Sequence, residues 1–326
     1  MKPQKITLFS AVLMLLLCGW LGSQHASGKT PTGEADNTAK FLGRWDLTLK
    51  TPEHEYPSWI EMLEQDGQLR AQFVSRWGNA RPLPQVSISA DHLRFVSPKE
   101  EEERKDDMVF EGTLANDQLS GTTTGPDGAP WTWTGRRAPT LTRTGTPKWG
   151  QPIVLFNGKD LTGWRPDRPD STKLWKVEGG ALITPGNGPE LVNDSKFKDF
   201  KLHVEFNCGE NSNSGIYLRG RYEVQIETDS IQEPPSHHMG GVYGFLAPSP
   251  ELPRKPGEWQ TYDITLVGRT ITVVQNGQTI IDHKEIPGIT GGALDSHEEL
   301  PGPIYLQGGE KGHVAYRSIV ITPAQK

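Results

Sequence analysis

The chain has 326 residues, a formal net charge of -6, 36 glycines, 26 prolines and 10 tryptophans. This length favours two domains. The charge provides no basic field, which disfavours nucleic acid as a partner. The composition favours a turn-rich β protein over a helical bundle, because no long helical periodicity follows the first thirty residues or so.

The N-terminus has the pattern of a secretory signal peptide. Lys2 and Lys5 precede an apolar run at residues 6–17, and small residues follow, which predicts cleavage after Gly28. The apolar run is short for a membrane span. We therefore expect an exported protein that is periplasmic, outer-membrane-associated or extracellular. Lipidation of Cys18 is left open, but a Cys within the discarded signal is the favoured alternative, because lipidation sites have a small residue directly before the Cys and this chain has Leu17 there.

Residues 29–38 are polar and are predicted to be disordered, and a small β domain is predicted at 39–137. The turn sequences Asp66-Gly67 and Asn116-Asp117 favour hairpins. Short strands with tight turns predict an antiparallel meander or barrel. The strands are expected at residues 45–50, 59–65, 69–77, 86–89, 92–96, 108–114, 118–124 and 131–134.

Residues 138–150 are rich in Thr and Pro and are predicted to be a linker. A second domain is predicted at 151–323, where many strands without intervening helices favour a two-sheet sandwich. Cys208 alternates in phase with apolar neighbours and is expected in the core. The strands are expected at 174–177, 181–184, 200–208, 214–219, 222–227, 259–267, 270–275, 278–283, 304–307 and 315–321.

Polar side chains occupy one face of three of these strands, because side chains alternate along a strand. If consecutive strands pair, these polar residues share one surface. Carboxylates, amides and an aromatic ring on such a surface suit the vicinal hydroxyls of a sugar, whereas the alternative is an ordinary solvated sheet face. The residues are His203, Glu205, Tyr217, Arg219, Glu223, Gln225 and Glu227.

Two carboxylates on one strand invite comparison with glycosidases. Glu223 and Glu227 are four positions apart, which is about 13 Å along a regular strand. A retaining pair lies about 5 Å apart and an inverting pair about 6.5–9.5 Å apart. Glu223 paired with Glu205 on a neighbouring strand is an equally good candidate, and the sequence does not choose between them.

Seven phrases of the second domain resemble those of one family, the 3-keto-disaccharide hydrolases, formerly a domain of unknown function. They cover essentially the whole second domain and none of the first. The phrases are LFNGKDLTGW at 155–164, WKVEGGALI at 175–183, NSGIYLRG at 213–220, YEVQI at 222–226, HHMGGVYGFLAP at 237–248, GEWQTYDI at 257–264 and GPIYLQGGEKGHVAYRSIVI at 302–321.

The resemblance implies a concanavalin-like jelly-roll sandwich that cleaves glycosides already oxidised to a ketone at sugar C3. Such chemistry needs a base near C2, an acid near the glycosidic oxygen and a positive group near the C3 oxygen. Glu223 and Glu205 are the candidate bases, Arg219 the candidate enolate stabiliser, and His238 or Tyr243 the candidate acid. The candidate substrate-binding residues are Tyr217, Gln225, Glu227, His203 and Gln307.

Two other functions remain open at this point: a non-catalytic carbohydrate-binding module and a structural envelope protein. The sequence specifies no cofactor; a divalent metal held by carboxylates and His is left open, without a compact ligand spacing to support it. The expected partner is a 3-keto-glycoside substrate, with no nucleic acid and no membrane span. The oligomeric state is not specified.

Overall fold

The computed structural model describes residues 37–76, 78–99, 104–143, 145–168, 174–228, 232–309 and 311–325. The predicted signal peptide and most of the predicted disordered segment lie outside these residues, although Asn37 and Thr38 are described and are helical. No helix in the described part of the chain is long and apolar enough to cross a membrane. Strands dominate the described residues, and the prediction of an all-β protein is confirmed.

Nine antiparallel strands form the first sheet. They are β1 (Gly43–Lys50), β2 (Glu55–Gln65), β3 (Gln68–Val74), β4 (Arg81–Pro82), β5 (Gln85–Ser89), β6 (His92–Ser97), β7 (Met108–Ala115), β8 (Gln118–Thr124) and β9 (Pro130–Arg137). Their order is β4-β3-β2-β1-β9-β8-β7-β6-β5. Because β1 pairs with both β2 and β9, the meander curls back on itself into a barrel-like unit, which we call the barrel.

The barrel encloses its own aromatic core. Trp45, Phe73, Phe95, Phe110 and Trp133 are all almost completely buried. The rings of Phe95 and Phe110 stack with centroids 4.6 Å apart. Alternation of large apolar and polar residues along these strands places the aromatic side chains inside, which is why the sequence pattern predicts the unit well.

Within the described residues, thirteen strands follow, together with one 3-10 helical turn at Pro235–His237. They are β10 (Ile153–Val154), β11 (Trp164–Pro166), β12 (Lys176–Glu178), β13 (Ala181–Ile183), β14 (Leu191–Asn193), β15 (Phe200–Cys208), β16 (Asn213–Leu218), β17 (Tyr222–Glu227), β18 (Trp259–Val267), β19 (Thr270–Gln275), β20 (Gln278–Glu285), β21 (Tyr305–Leu306) and β22 (Val314–Pro323).

These strands form the two sheets of a jelly-roll sandwich. An eight-stranded sheet has the order β12-β13-β22-β15-β18-β19-β20, with β10 paired to β22, and a five-stranded sheet has the order β11-β14-β21-β16-β17. Apolar side chains from both sheets, among them Val204, Phe206, Ile216 and Val224, form one core. Cys208 belongs to this core, as the alternation of its strand predicts.

The barrel packs against the sandwich through β2 and β3. Trp59 and Val74 lie on barrel strands but belong to the core cluster of the sandwich. The indole Nε1 of Trp59 donates to the carbonyl oxygen of Ile289 at 3.0 Å. Arg136 donates two hydrogen bonds of 2.9 Å to the carboxylate of Glu299. The two units therefore share both apolar and charged contacts.

Candidate active site

A small polar cavity lies on the face of the five-stranded sheet that points away from the sandwich core. Its volume is about 120 Å³. Cavities of about 360 and 440 Å³ lie beside residues 138–143. The smaller cavity is the better candidate of the three, because it combines tyrosines, amides and two carboxylates. Five sequence-predicted residues line it, namely Tyr217, Glu223, Gln225, Tyr243 and Gln307.

Pairing of β16 with β17 and β21 brings these side chains together. Tyr217 is opposite Glu223 in one pairing and opposite Tyr305 in the other. Their neighbours along each strand, such as Ile216 and Val224, point into the sandwich core. Alternation thus determines the face of each side chain, and the pairing register determines which of them meet.

Glu223 is the central carboxylate of the cavity and is only 3% exposed. The hydroxyl of Tyr217 lies 2.9 Å from Glu223 Oε2 and 2.9 Å from the carbonyl oxygen of Gly291. One hydroxyl donates one proton, so it stabilises the carboxylate only when it turns away from Gly291. The backbone N–H of Glu223 donates to the hydroxyl of Thr290 at 3.1 Å.

Gly215 provides the space for this carboxylate. A methyl group at position 215 would lie 2.8 Å from Cγ of Glu223 and closer still to its Oε1. Gly215 is opposite Gln225 in the β16–β17 register, on the strand next to Glu223. The glycine is therefore needed for close approach and not for an unusual backbone angle.

A second carboxylate, Glu190, lines the same cavity and was missed by the sequence analysis. Burial, and then the negative charge of Asp167, raises the pKa of Glu190 from 4.5 to about 7, while the nearby Arg168 opposes the rise. Two hydrogen bonds of 3.0 Å hold the backbone of Glu190 against Asp167. The N–H of Glu190 donates to the carboxylate of Asp167, and the N–H of Asp167 donates to the carbonyl oxygen of Glu190. A carboxyl group with a pKa near neutrality is suited to acid–base catalysis.

Tyr217 and Tyr305 are further groups in the cavity that can donate a hydrogen bond. The rings of Tyr217 and Tyr305 meet edge to face, with centroids 4.7 Å apart. Burial, and then the charge of Glu223, raises the pKa of Tyr217 well above its ordinary value. Burial, and then the charge of Glu190, does the same for the pKa of Tyr305. Both hydroxyls therefore remain protonated and able to donate a hydrogen bond.

Two amide oxygens in the cavity have no hydrogen-bond partner among the described residues. They are Oε1 of Gln225 and Oε1 of Gln307, and both atoms are buried. A buried acceptor without a partner costs free energy, on the order of 1–3 kcal/mol. A ligand rich in hydroxyl groups would satisfy both, and this favours a sugar over an apolar ligand.

His203 and Glu205 are not part of this site, and the expectation that they share a face with Glu223 is wrong. They lie on β15, which pairs with β18 and β22 in the other sheet. Glu205 accepts a hydrogen bond of 2.6 Å from Arg317, and His203 Nδ1 lies 2.7 Å from Asp263. The strands are consecutive in sequence but cross between sheets, so alternation alone does not bring them together.

Arg219 also lies outside the cavity, contrary to the expectation that it shares the surface of Glu223. It sits in the turn after β16 with a φ of +54°, so it no longer follows the alternation of the strand. Its guanidinium donates to the hydroxyl of Tyr222 at 2.9 Å and to the carbonyl oxygen of Gly268 at 2.8 Å. The side chain is completely buried on the far side of the turn.

The neighbouring residues His237 and His238 make different contacts. His238 lies near the carbonyl oxygen of Glu233 (3.0 Å) and the carboxylate of Glu251 (3.1 Å), and it does not line the cavity. His237 stacks on Tyr243 with ring centroids 4.2 Å apart. Of the two predicted acids, His238 and Tyr243, only Tyr243 lines the cavity.

Glu227 is buried and lies 3.7 Å from Nη1 of Arg254, without lining the cavity. Burial is the main cause that raises the pKa of Cys208, to about 11, so its thiol stays protonated in the core. Within the described residues, no group of three or more His, Cys, Asp or Glu side chains could hold a metal ion.

The residues that sequence reasoning missed lie on short or irregular elements. Glu190 directly precedes β14, a strand of three residues, and Tyr305 belongs to β21, which has only two. Gly78 and Gly291 come from loops. Strands of two or three residues are too short to show an alternating pattern of apolar and polar side chains. The glutamate in the phrase GPELVN was the only visible signal.

The fold and this cavity define the second unit of the chain as an all-β sandwich with a polar site lined by carboxylates and tyrosines. The sequence profile of one family, described as the 3-keto-alpha-glucoside-1,2-lyase-like domain, matches residues 151–322. The chain belongs to this family, and the resemblance noted in the sequence is confirmed. The match includes the cavity residues of the sandwich and none of the barrel.

Similar proteins include one curated protein and several solved structures. A protein named 3-keto-disaccharide hydrolase from Bacteroides thetaiotaomicron is 24% identical over an aligned stretch of 167 residues, and the match covers 40% of this chain and 58% of that protein. The chain thus spans just over half the length of this curated relative. A crystal structure assigned to a glycosyl hydrolase from Parabacteroides distasonis ATCC 8503 is 32% identical, with a TM-score of 0.46, covering 52% of this chain and 82% of that one. The endo-beta-1,3(4)-glucanase SCLam is 11% identical, with a TM-score of 0.32, covering 55% of this chain and 91% of that one.

Proposed function

We propose that this protein is an exported enzyme that cleaves the glycosidic bond of 3-keto-glycosides by elimination followed by hydration. The observation that carries the proposal is the pair of carboxyl groups in one polar cavity: Glu223, within hydrogen-bond distance of Tyr217, and Glu190, whose pKa is raised to about 7. The family description and the name of the Bacteroides relative supply the ketone at C3.

Glu223 acts as the base. A ketone at C3 acidifies the proton on C2, and the carboxylate removes it to give an enolate. The negative charge develops on the C3 oxygen, where the hydroxyl of Tyr217 or Tyr305 donates a hydrogen bond. This assignment replaces Arg219, which is buried elsewhere, as the group that stabilises the enolate.

Glu190 acts as the acid. When the enolate collapses, the C1–O bond breaks and a C1–C2 double bond forms, and the carboxyl group of Glu190 gives its proton to the departing oxygen. Water then adds at C1 of the unsaturated ketone and a proton returns to C2, so the net reaction is hydrolysis. Glu190, now ionised, takes a proton from that water.

A solvent-isotope experiment tests elimination directly. The purified full chain is incubated with a 3-keto-glucoside in D₂O, and the sugar product is analysed for deuterium at C2. Elimination and rehydration predict one deuterium at C2, whereas direct displacement at C1 leaves C2 protonated. Product incubated without enzyme controls for spontaneous exchange at C2.

The rival functions give different outcomes in the same preparation. Equal turnover of ordinary and 3-keto-glycosides contradicts the ketone requirement. Sugar binding without turnover favours a carbohydrate-binding module, and no interaction with either sugar favours a structural envelope protein. We expect turnover of the 3-keto substrate alone.

A further inference from the structure

We propose that the barrel is part of the active site: residues Gly78 and Asn79, which follow β3, form a wall that limits the site to short glycosides. We call Gly78 and Asn79 the barrel wall. This inference rests on the proposed function and extends it, because the family match begins at residue 151 and assigns nothing to the barrel.

The first observation is burial of a sheet face that should be open. Tyr217, Glu223 and Gln225 point away from the sandwich core, yet each is at most 4% exposed. In a sandwich, the outer face of a sheet normally meets solvent and forms an open groove. Here loops cover it, and Gly78 of the barrel lines the cavity beneath. A covered cavity admits the end of a glycoside and excludes the interior of a long chain.

The second observation is a backbone connection between the barrel wall and the catalytic base. The N–H of Gly291 donates to the carbonyl oxygen of Gly78 at 3.1 Å. The carbonyl oxygen of the same Gly291 lies 2.9 Å from the hydroxyl of Tyr217, which also contacts Glu223. The barrel therefore positions the residue that competes with Glu223 for the tyrosine proton.

The third observation concerns the glycine-rich loop that carries Tyr243. A methyl group at Gly244 would lie 3.0 Å from Cα of Asn79 and closer still to its Cβ, so the two backbones are in direct contact. Phe245 on the same loop stacks on Trp59 of β2, with ring centroids 6.0 Å apart. The barrel wall and the Tyr243 loop thus support each other on one side of the cavity.

The test compares substrates of different length in the full chain. In Asn79→Gly the wall loses the side chain that packs against Gly244, so longer substrates gain access. We expect the ratio of kcat/KM for a 3-keto-trisaccharide to that for a 3-keto-disaccharide to rise at least about fivefold. The ratio is independent of the fraction of folded enzyme, so a merely structural effect leaves it unchanged. Asn116→Gly, in the β7–β8 turn of the same barrel, is the matched control.

A second variant tests the same contact between the barrel wall and the Tyr243 loop from the side of the loop. Gly244→Ala pushes against Asn79 from the other side, and we expect a shift of the same ratio. Its control is Gly257→Ala, because Gly244 and Gly257 have similar φ angles of +75° and +82°, while position 257 has open space around it. An unchanged ratio in both Asn79→Gly and Gly244→Ala would overturn the proposal.

Failure of the proposed function has a separate signature. If the wild-type chain binds 3-keto-sugars but turns none over, the enzyme assignment fails. The same length comparison is then made with dissociation constants, and a wall still predicts that Asn79→Gly improves binding of the trisaccharide relative to the disaccharide. Equal discrimination by wild type and both variants overturns the wall in this case as well.

Discussion

At the scale of single residues, the two cavity carboxylates are distinguished by their surroundings. The hydroxyl of Tyr217 lies within hydrogen-bond distance of Glu223 and donates to its carboxylate when it turns away from Gly291, an arrangement that suits a base. Burial and the neighbouring Asp167 raise the pKa of Glu190 to about 7, so it holds a proton in more acidic solution and suits an acid. Different environments thus separate the roles of two chemically similar groups.

The pH dependence of the reaction follows from Glu190. An acid must be protonated, so kcat/KM is expected to fall as the pH rises through about 7. Glu190→Gln removes this limb of the profile and lowers kcat by about 10²–10⁴-fold for a sugar leaving group. The loss should be much smaller with a nitrophenyl aglycone, which departs without a proton. An equal loss with both leaving groups would argue against Glu190 as the acid.

Replacement of the base separates Glu223 from Glu205. Glu223→Gln keeps the shape of the side chain and removes the proton acceptor, so we expect turnover of a 3-keto-glucoside to fall by about 10²–10⁴-fold. Glu205→Gln is the matched control, because Glu205 pairs with Arg317 on the other sheet. Near wild-type turnover by Glu223→Gln would remove it from the mechanism.

At the scale of elements, the β16–β17 hairpin controls the geometry of the site. Strands were predicted at 214–219 and 222–227, and the structure has them at Asn213–Leu218 and Tyr222–Glu227, paired as a hairpin. Alternation correctly assigned Tyr217 and Glu223 to one face. It failed for Arg219, because this residue lies in the turn with a positive φ, where side chains no longer alternate between the two faces of the sheet.

Close packing within this hairpin gives a prediction that separates activity from stability. In Gly215→Ala the new methyl group displaces the Glu223 carboxylate, which is the flexible end of its side chain. We expect turnover to fall at least about tenfold, since an error of about 1 Å in a catalytic group can cost 10²-fold. The free energy of unfolding should fall by only about 1–3 kcal/mol. Gly209→Ala, with no neighbouring atom closer than 3.4 Å, should leave both activity and stability near wild type.

At the scale of the whole molecule, a buried charge cluster joins the barrel to the sandwich. Arg44 of β1 contacts both Asp46 and the completely buried Glu298, and Arg269 lies 3.5 Å from Glu298. Burial, and then the charge of Glu298, raises the pKa of Asp46 from 3.8 to about 7. The interface between the barrel and the sandwich is therefore sensitive to pH.

The sign of this effect follows from proton uptake. Between about pH 4 and 7 the folded chain keeps a proton on Asp46 that the unfolded chain has lost, so the free energy of unfolding falls as the pH rises. Asp46→Asn cannot lose this proton and should be more stable than wild type at pH 8 by about 1–4 kcal/mol, with little difference at pH 4. Denaturant unfolding at both pH values measures this. Asp117→Asn, at an exposed ion pair of the barrel, should show no such dependence, and the same response in both variants would argue against the assignment.

The sequence by itself determined the all-β class, the core face of the strands at 200–208, 214–218 and 222–227 and the family of the second domain. These depend on a local period of two residues and on contiguous phrases, which are visible without a structure. The tertiary structure decided which polar residues meet. It separated His203 and Glu205 from Glu223 by placing β15 and β17 in different sheets. It also brought Glu190, Tyr305 and the barrel residue Gly78 to the cavity, because strand pairing and loop packing join residues that are remote in the sequence.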